Sequence, residues 1–433
     1  MLSVITQGAR RPPVDRACWP YGDAVPTPPP LRRYEARLTF ALFGVAASTQ
    51  SPSPVLLFYT DRLGLAPLDL TVFFAVYAIG LVPSLLLGGP YSDRYGRRTV
   101  LVPVSLLSAV ALLVLVLAGT AGQPALLIGR FLQGVTSGAV FTVGTVWMRE
   151  LAGADRAPAA AMRASAAMAV GFALGPFIAG ALVQWAPLPT ALPFMLPLGL
   201  VLVAYGLART VPETMTERRP GRLQIGIPPG AAAGFWLYLL PIGLLVYSFA
   251  VLSLTVFPLL VARAGFGATL FLAGLMALIV QGSAAVSTVW ATRLGPGTSG
   301  PISAFLAAAG CGLGYLAVQP DGWPWVLPAS LAIGVSEGLA ITSGITVSDW
   351  LAPRHRRGGL VSVFYLVVYF GFLVPTILVV VSGDSLFGGI PILALGGCAL
   401  VVTVVLALPG RRLVARVSAA ASAGADRRTT STS

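Results

Sequence analysis

The sequence predicts an all-α polytopic membrane protein of about twelve helices, built as two six-helix halves. Three observations lead there. Of 433 residues, 56% are hydrophobic and only 10% are charged, with a mean hydropathy of +0.84. Soluble domains run near a quarter charged, so this chain lacks the residues to coat a water-exposed surface. From about residue 37 onward, apolar segments of about 20 residues follow one another, each long enough to cross a hydrocarbon core of about 30 Å. Finally, all 28 cationic residues are Arg, and they gather in alternate connections between those segments.

Taken in order, residues 1–36 are rich in Pro and Arg and contain no apolar run, which predicts a disordered cytoplasmic tail and not a signal peptide. Spans follow at roughly 37–59, 68–90, 99–119, 124–149, 158–185, 187–208, 234–262, 268–291, 300–318, 324–350, 358–381 and 388–409. Gly (49) and Pro (35) are abundant, as membrane helices tolerate. Orientation follows from the arginines. Alternate connections hold Arg94, Arg97 and Arg98; Arg149, Arg156 and Arg163; Arg209, Arg218, Arg219 and Arg222; Arg293; and Arg354, Arg356 and Arg357. The opposite connections hold Arg62 and Arg263. Both termini are therefore expected in the cytoplasm, with the protein in the inner (plasma) membrane.

The longest polar connection, 209–233, divides the chain into bundles 37–208 and 234–409, followed by a cytoplasmic tail at 410–433. Internal similarity agrees: the string QGVTSG at Gln133 resembles EGLAIT at Glu337. Two parallel six-helix repeats holding a small molecule between them near the midplane is a known transporter architecture.

Several chemistries are excluded. The net charge of +13 lies in loops and tails, so it does not point to nucleic acid. Cys18, Cys311 and Cys398 show no paired spacing, and His355 is the sole histidine, so no metal site or His-based nucleophile is expected. No phosphate-binding loop of the ATP-hydrolysing kind occurs. No cofactor is expected, and the chain is not expected to be an enzyme.

The most specific string is Gly89-Pro-Tyr-Ser-Asp93-Arg94-Tyr-Gly96-Arg97-Arg98, between spans 2 and 3. It resembles the G-x-x-x-D-R-x-G-R-R signature of the major facilitator superfamily, with Tyr91 where that family often has Leu. The resemblance implies two six-helix bundles related by a pseudo-two-fold axis, and an inner gate in which Asp93 bonds the amino end of helix 11. A helix start offers unpaired N–H groups and a partial positive charge, and Gly358-Gly359 would leave it open to approach. Arg130 and Gln133-Gly134 resemble the family's R-x-x-Q-G motif; snorkelling is the plain alternative for the arginine. Gly171, Gly175-Pro176 and Gly180 resemble the G-P-x-x-G-G motif of proton-coupled drug antiporters, with Ala179 in place of one glycine; ordinary kinking is the alternative. VPET at 211–214 resembles a string of the same efflux branch.

Glu337 is the one acid expected deep within a helix. A bare carboxylate there is costly unless protonated, paired or facing water. It is therefore expected to carry a coupling proton with Arg130 as electrostatic partner, the alternative being a neutral, structural Glu. Ser48–Ser53 with Pro52 and Pro54 predict a locally broken, cavity-lining first helix. Gln50, Gln133, Tyr247, Gln281, Tyr365 and Tyr369 are the expected cavity residues; Tyr365 and Tyr369, four apart, share a face. The resemblance thus implies alternating-access, proton-coupled efflux of hydrophobic or drug-like compounds, as in multidrug resistance. Uptake symport or metabolite export on the same fold remains the other reading. The expected partners are a small-molecule substrate, protons and the lipid bilayer, and the expected state is a monomer.

Overall fold

The computed structural model describes residues 29–215, 225–263, 266–319, 321–353, 356–383 and 389–419. His355, Arg354 and most of both expected tails lie outside them. Among the described residues, twelve helices cross the molecule. They are α1 (Pro29–Gln50 and Pro52–Leu63), α2 (Pro67–Tyr95), α3 (Arg97–Val116), α4 (Gln123–Ala152), α5 (Ala157–Trp185), α6 (Leu192–Ala208), α7 (Leu240–Arg263), α8 (Thr269–Leu294), α9 (Pro296–Leu316), α10 (Val326–Leu351), α11 (Arg357–Phe370 and Leu373–Ser382) and α12 (Ile390–Val405). Ten are long and apolar enough to span a membrane; α6, with 17 residues, and the broken α1 complete the set.

Several element ends differ from expectation. α1 already begins at Pro29, so residues 29–36 are helix and not tail. Its early turns survive because Glu35 is buried and ion-paired, a tertiary contact that composition cannot announce. Helix also continues past 410 to residue 419. α11 breaks at Gly371-Phe372, where the chain passes close to α7: a Cβ on Gly371 would lie 3.0 Å from the Ser248 nitrogen.

Neighbour relations repeat with a shift of six helices. α1 packs on α4 and α5, as α7 does on α10 and α11; α4 packs on α2 and α3, as α10 does on α8 and α9; α3 meets α6, as α9 meets α12. The joins between halves obey the same shift, since α5 runs along α8 while α11 meets α2. This is the pseudo-two-fold architecture.

Glycine sets the tightest crossings. A Cβ on Gly134 of α4 would overlap the Tyr77 carbonyl oxygen of α2, and one on Gly338 of α10 would overlap the Ala284 carbonyl of α8. Neither backbone can retreat without unravelling its own helix. Gly134→Val should therefore lower stability by about 1–3 kcal/mol or prevent folding, read as the melting temperature of detergent-solubilised protein. Gly282→Val, where an added Cβ meets nothing within 4 Å, should be tolerated.

Candidate transport pathway

Near the middle of the molecule, aromatic residues from both halves meet an acid. Tyr247 of α7 stacks on Tyr369 of α11 with ring centroids 5.3 Å apart, and Tyr369 lies 6.2 Å from Tyr365. Phe372, at the α11 break, sits 4.7 Å from Tyr247, 5.9 Å from Tyr77 and 6.5 Å from Phe74 of α2. Glu337 of α10 is 6% exposed, and its Oε2 has no hydrogen-bond partner. Gln281 of α8 reaches its carboxyl group, and Tyr247 lies close enough to feel its charge. Of the expected cavity residues, Gln281 and Tyr247 thus adjoin Glu337, and Tyr369 and Tyr365 extend from Tyr247 as a ring stack; each of the four is only half buried. That combination, polar tips on apolar bodies around one unpaired carboxyl oxygen, suits a ligand with an apolar frame and a cationic or hydrogen-bonding group.

Arg130 and Gln133 do something else. Pro52 has no N–H, so the Ser48 carbonyl loses its partner four residues on, and α1 breaks at Ser51. Gln133 Nε2 donates to that Ser48 oxygen at 2.8 Å, and Arg130 Nη1 donates to the Thr49 oxygen at 2.9 Å. Arg130 Nη1 also donates to Gln133 Oε1 at 3.0 Å, which ties the pair together. The guanidinium is fully buried beneath the ring of Tyr77, 4.5 Å away, and that of Phe74, 5.3 Å away.

Two expectations are corrected here. Gln133 is fully buried and spent on α1, so it does not line a cavity. Arg130 forms no ion pair with Glu337 among the described residues; its guanidinium packs on the Tyr77 and Phe74 rings instead. The motif completes the backbone hydrogen bonding of a broken helix, which is what a break inside a membrane requires. Gln50 is 9% exposed and accepts only a long 3.5 Å contact from Ser53.

The glycines of α5 divide their work. A Cβ on Gly175 would overlap the Ala47 carbonyl of α1, and one on Gly171 would lie 2.6 Å from the Phe43 carbonyl. Gly180 faces the other half, where a Cβ on it would lie 2.8 Å from the Leu270 carbonyl of α8, and a Cβ on Gly274 of α8 would lie 2.6 Å from the Pro176 carbonyl. The motif therefore seats α5 against α1 and against the opposite half.

At the α2–α3 turn, Asp93 Oδ1 lies 2.6 Å from Arg97 Nη1, and Arg97 Nη2 lies 2.9 Å from Glu150 of α4. Glu213, from the VPET string, accepts the Arg97 and Arg98 backbone N–H groups at 3.0 and 2.9 Å, capping α3. Thr214 bonds Glu150 at 2.6 Å. Gly96 is required: its φ is +108°, and a Cβ there would lie 2.6 Å from Glu213 Oε2. Arg94 packs over the Tyr95 ring. Gly89 adds only an ordinary contact with Thr142.

Among the described residues Asp93 makes no bond to the start of α11, and a Cβ added to Gly358 would meet nothing within 4 Å. The reason is the relation of the halves. Their hydrogen bonds and ring contacts (Gln184 with the start of α8, Phe177 and Trp185 with Phe271, Phe74 and Tyr77 with Phe372) lie toward the arginine-poor side. Asp93 pairs instead with Arg97, one turn on.

Sequence reasoning missed three residues here. Glu35 is 1% exposed and pairs with Arg156 at 3.0 Å and Arg163 at 2.6 Å; an acid within an Arg-rich run was the only signal. Glu213 was visible only as part of a resembling string. Gln184, polar at the very end of an apolar span, gave no signal of a partner.

Such a fold, with an aromatic and acidic site between two bundles, defines a multi-pass membrane transporter and not an enzyme. The model of the Major Facilitator Superfamily matches residues 38–376, and the chain belongs to that superfamily. It is 24% identical over 324 residues to "Multidrug resistance protein MdtL" of Shewanella sp. (strain ANA-3), covering 70% of this chain and 76% of that protein. It is 31% identical over 88 residues to the protein of the same name in Klebsiella pneumoniae subsp. pneumoniae, 20% of this chain and about a fifth (22%) of that relative's length. "Multidrug resistance protein MdtM" of Salmonella typhimurium is 29% identical over 157 residues, 36% of each chain. Among solved structures, a POT family transporter in complex with a thioalcohol-conjugated peptide superposes with a TM-score of 0.72 at 16% identity, over 86% of this chain and 95% of that one. A D-xylose-proton symporter gives 0.64 at 20% identity, over 87% and 96%. At these identities the structures share the fold alone.

Proposed function

We propose that this transporter exports hydrophobic or drug-like cations from the cell in exchange for protons, by alternating access. The observation that carries the reading is Glu337, buried beside Gln281 and Tyr247 with one carboxyl oxygen unpaired, where Tyr247 continues into the Tyr369–Tyr365 stack. That oxygen can hold a proton while the site is empty and give it up when a cation enters, which is the exchange an antiporter performs. The relatives named for multidrug resistance support the substrate class. Placing the arginine-rich side in the cytoplasm, as the positive-inside rule directs, puts the hydrogen-bonded and ring-packed joins between the halves on the outer side.

Proteoliposomes with an imposed pH gradient test the reading against a panel of lipophilic cationic dyes. Uphill, gradient-dependent movement of at least one dye, with proton movement in the opposite direction, is the expected result. Transport that runs with the proton would replace export by uptake symport.

A further inference from the structure

We infer that Gln184 is a positioning residue for the transport cycle: it latches the arginine-poor side shut by capping the amino end of α8. Its Oε1 accepts the Leu270 N–H at 3.1 Å and the Phe271 N–H at 3.4 Å, and its Nε2 donates to the Gly267 carbonyl at 3.1 Å. A helix start presents N–H groups with no partner inside the helix, so the amide supplies what α8 lacks. The surroundings hold it in register. Phe271 packs against Trp185 at 4.9 Å and Phe177 at 5.6 Å, and the Gly180–Gly274 crossing brings the two backbones together one turn deeper.

The position has a counterpart. Asp93 occupies the last turn of α2 and is expected to meet the amino end of α11 on the arginine-rich side. Gln184 occupies the last turn of α5 and meets the amino end of α8 on the other side. α5 comes three helices after α2, and α8 three before α11, so these are the same two elements turned over in the membrane. Among the described residues one contact is made and the other is not: Asp93 bonds Arg97, and a Cβ added to Gly358 would meet nothing within 4 Å. Halves that rock about a midplane site cannot close at both sides at once, so the two latches compete. The Gln184 latch favours the conformation seen here, and its release is a step of the cycle. An amide suits the place because one group must both accept from α8 and donate to Gly267, which a carboxylate cannot do.

This inference rests on alternating access, but its test needs no transported compound. Spin labels go at exposed Ala121 and Asp321 on the arginine-poor side, and at Asp155 and Arg293 on the other. Cys18, Cys311 and Cys398 are replaced beforehand. In lipid nanodiscs, Gln184→Leu should lengthen the first distance and shorten the second, lowering the closed-to-open ratio on the arginine-poor side about tenfold. Gln184→Glu, which keeps the acceptor for α8, should shift it less. Asp93→Asn should shift the balance the opposite way, and the double variant should return toward wild type. If Gln184→Leu fails to fold, Gln184→Asn, one methylene too short to reach, takes its place with the same forecast. Unchanged distances in a folded variant, or Glu and Leu variants that behave alike, overturn the latch. Failure of dye transport with these shifts intact would count against the proposed substrate and leave the latch standing.

Discussion

Glu337→Gln should leave the protein folded and able to exchange substrate down its gradient, yet unable to drive transport uphill. Gln fills nearly the same volume and keeps a carbonyl for Gln281, but it cannot release a proton, so it imitates the protonated acid permanently. Counterflow of a dye should persist in proteoliposomes, while proton movement provoked by substrate should fall to background, at least about tenfold for a group that carries the proton itself. Among the described residues the only other buried acid is Glu35, at the far end of α1 and paired with two arginines. Normal proton stoichiometry in this variant would move the coupling elsewhere and make Glu337 a structural hydrogen-bonding group.

Arg130→Ala should fail differently, losing downhill exchange and uphill transport together. Its guanidinium donates to the Thr49 carbonyl beside the α1 break and is stacked against Tyr77. Truncation removes that donor and the link to Gln133, at a cost of about 1–3 kcal/mol, and adds a cavity the size of the lost side chain. Melting temperature and counterflow should fall together, with partial recovery in Arg130→Lys, which restores one donor but not the fork. Intact counterflow with an altered pH dependence would instead favour a direct electrostatic link to Glu337. Contrasting the two variants in one assay separates the proton carrier from the residue that holds the pathway's wall together.

Some of the site was legible before any coordinates. A lone acid in an apolar span has few structural excuses, so Glu337 stood out, and Tyr365 and Tyr369 shared a face by spacing alone. The break in α1 followed from Pro52 and Pro54 among polar residues. Gln133 was misjudged because its polarity says only that it needs partners. Whether those partners are a ligand or an orphaned carbonyl depends on which helix lies opposite. Asp93 was identified by its string, but the bond it makes changes with the relation of the two halves. Gln184 and Glu35 sit at helix ends, where polar residues are ordinary, so their burial could not be foreseen.

The sequence by itself determined that the chain is helical, spans a membrane many times, and repeats its plan after the sixth helix. Hydrophobic length, arginine placement and short motifs are local properties, and lipid leaves the backbone no alternative to helices that satisfy themselves. The tertiary structure alone decided which polar groups meet: Gln133 with the broken α1, Glu213 with α3, Gln184 with α8, and Glu337 with the aromatic site. It also decided on which side the halves are joined. Those pairings depend on helix rotation and crossing depth, set by packing at residues such as Gly134 and Gly180, and a shift of one turn would exchange every partner.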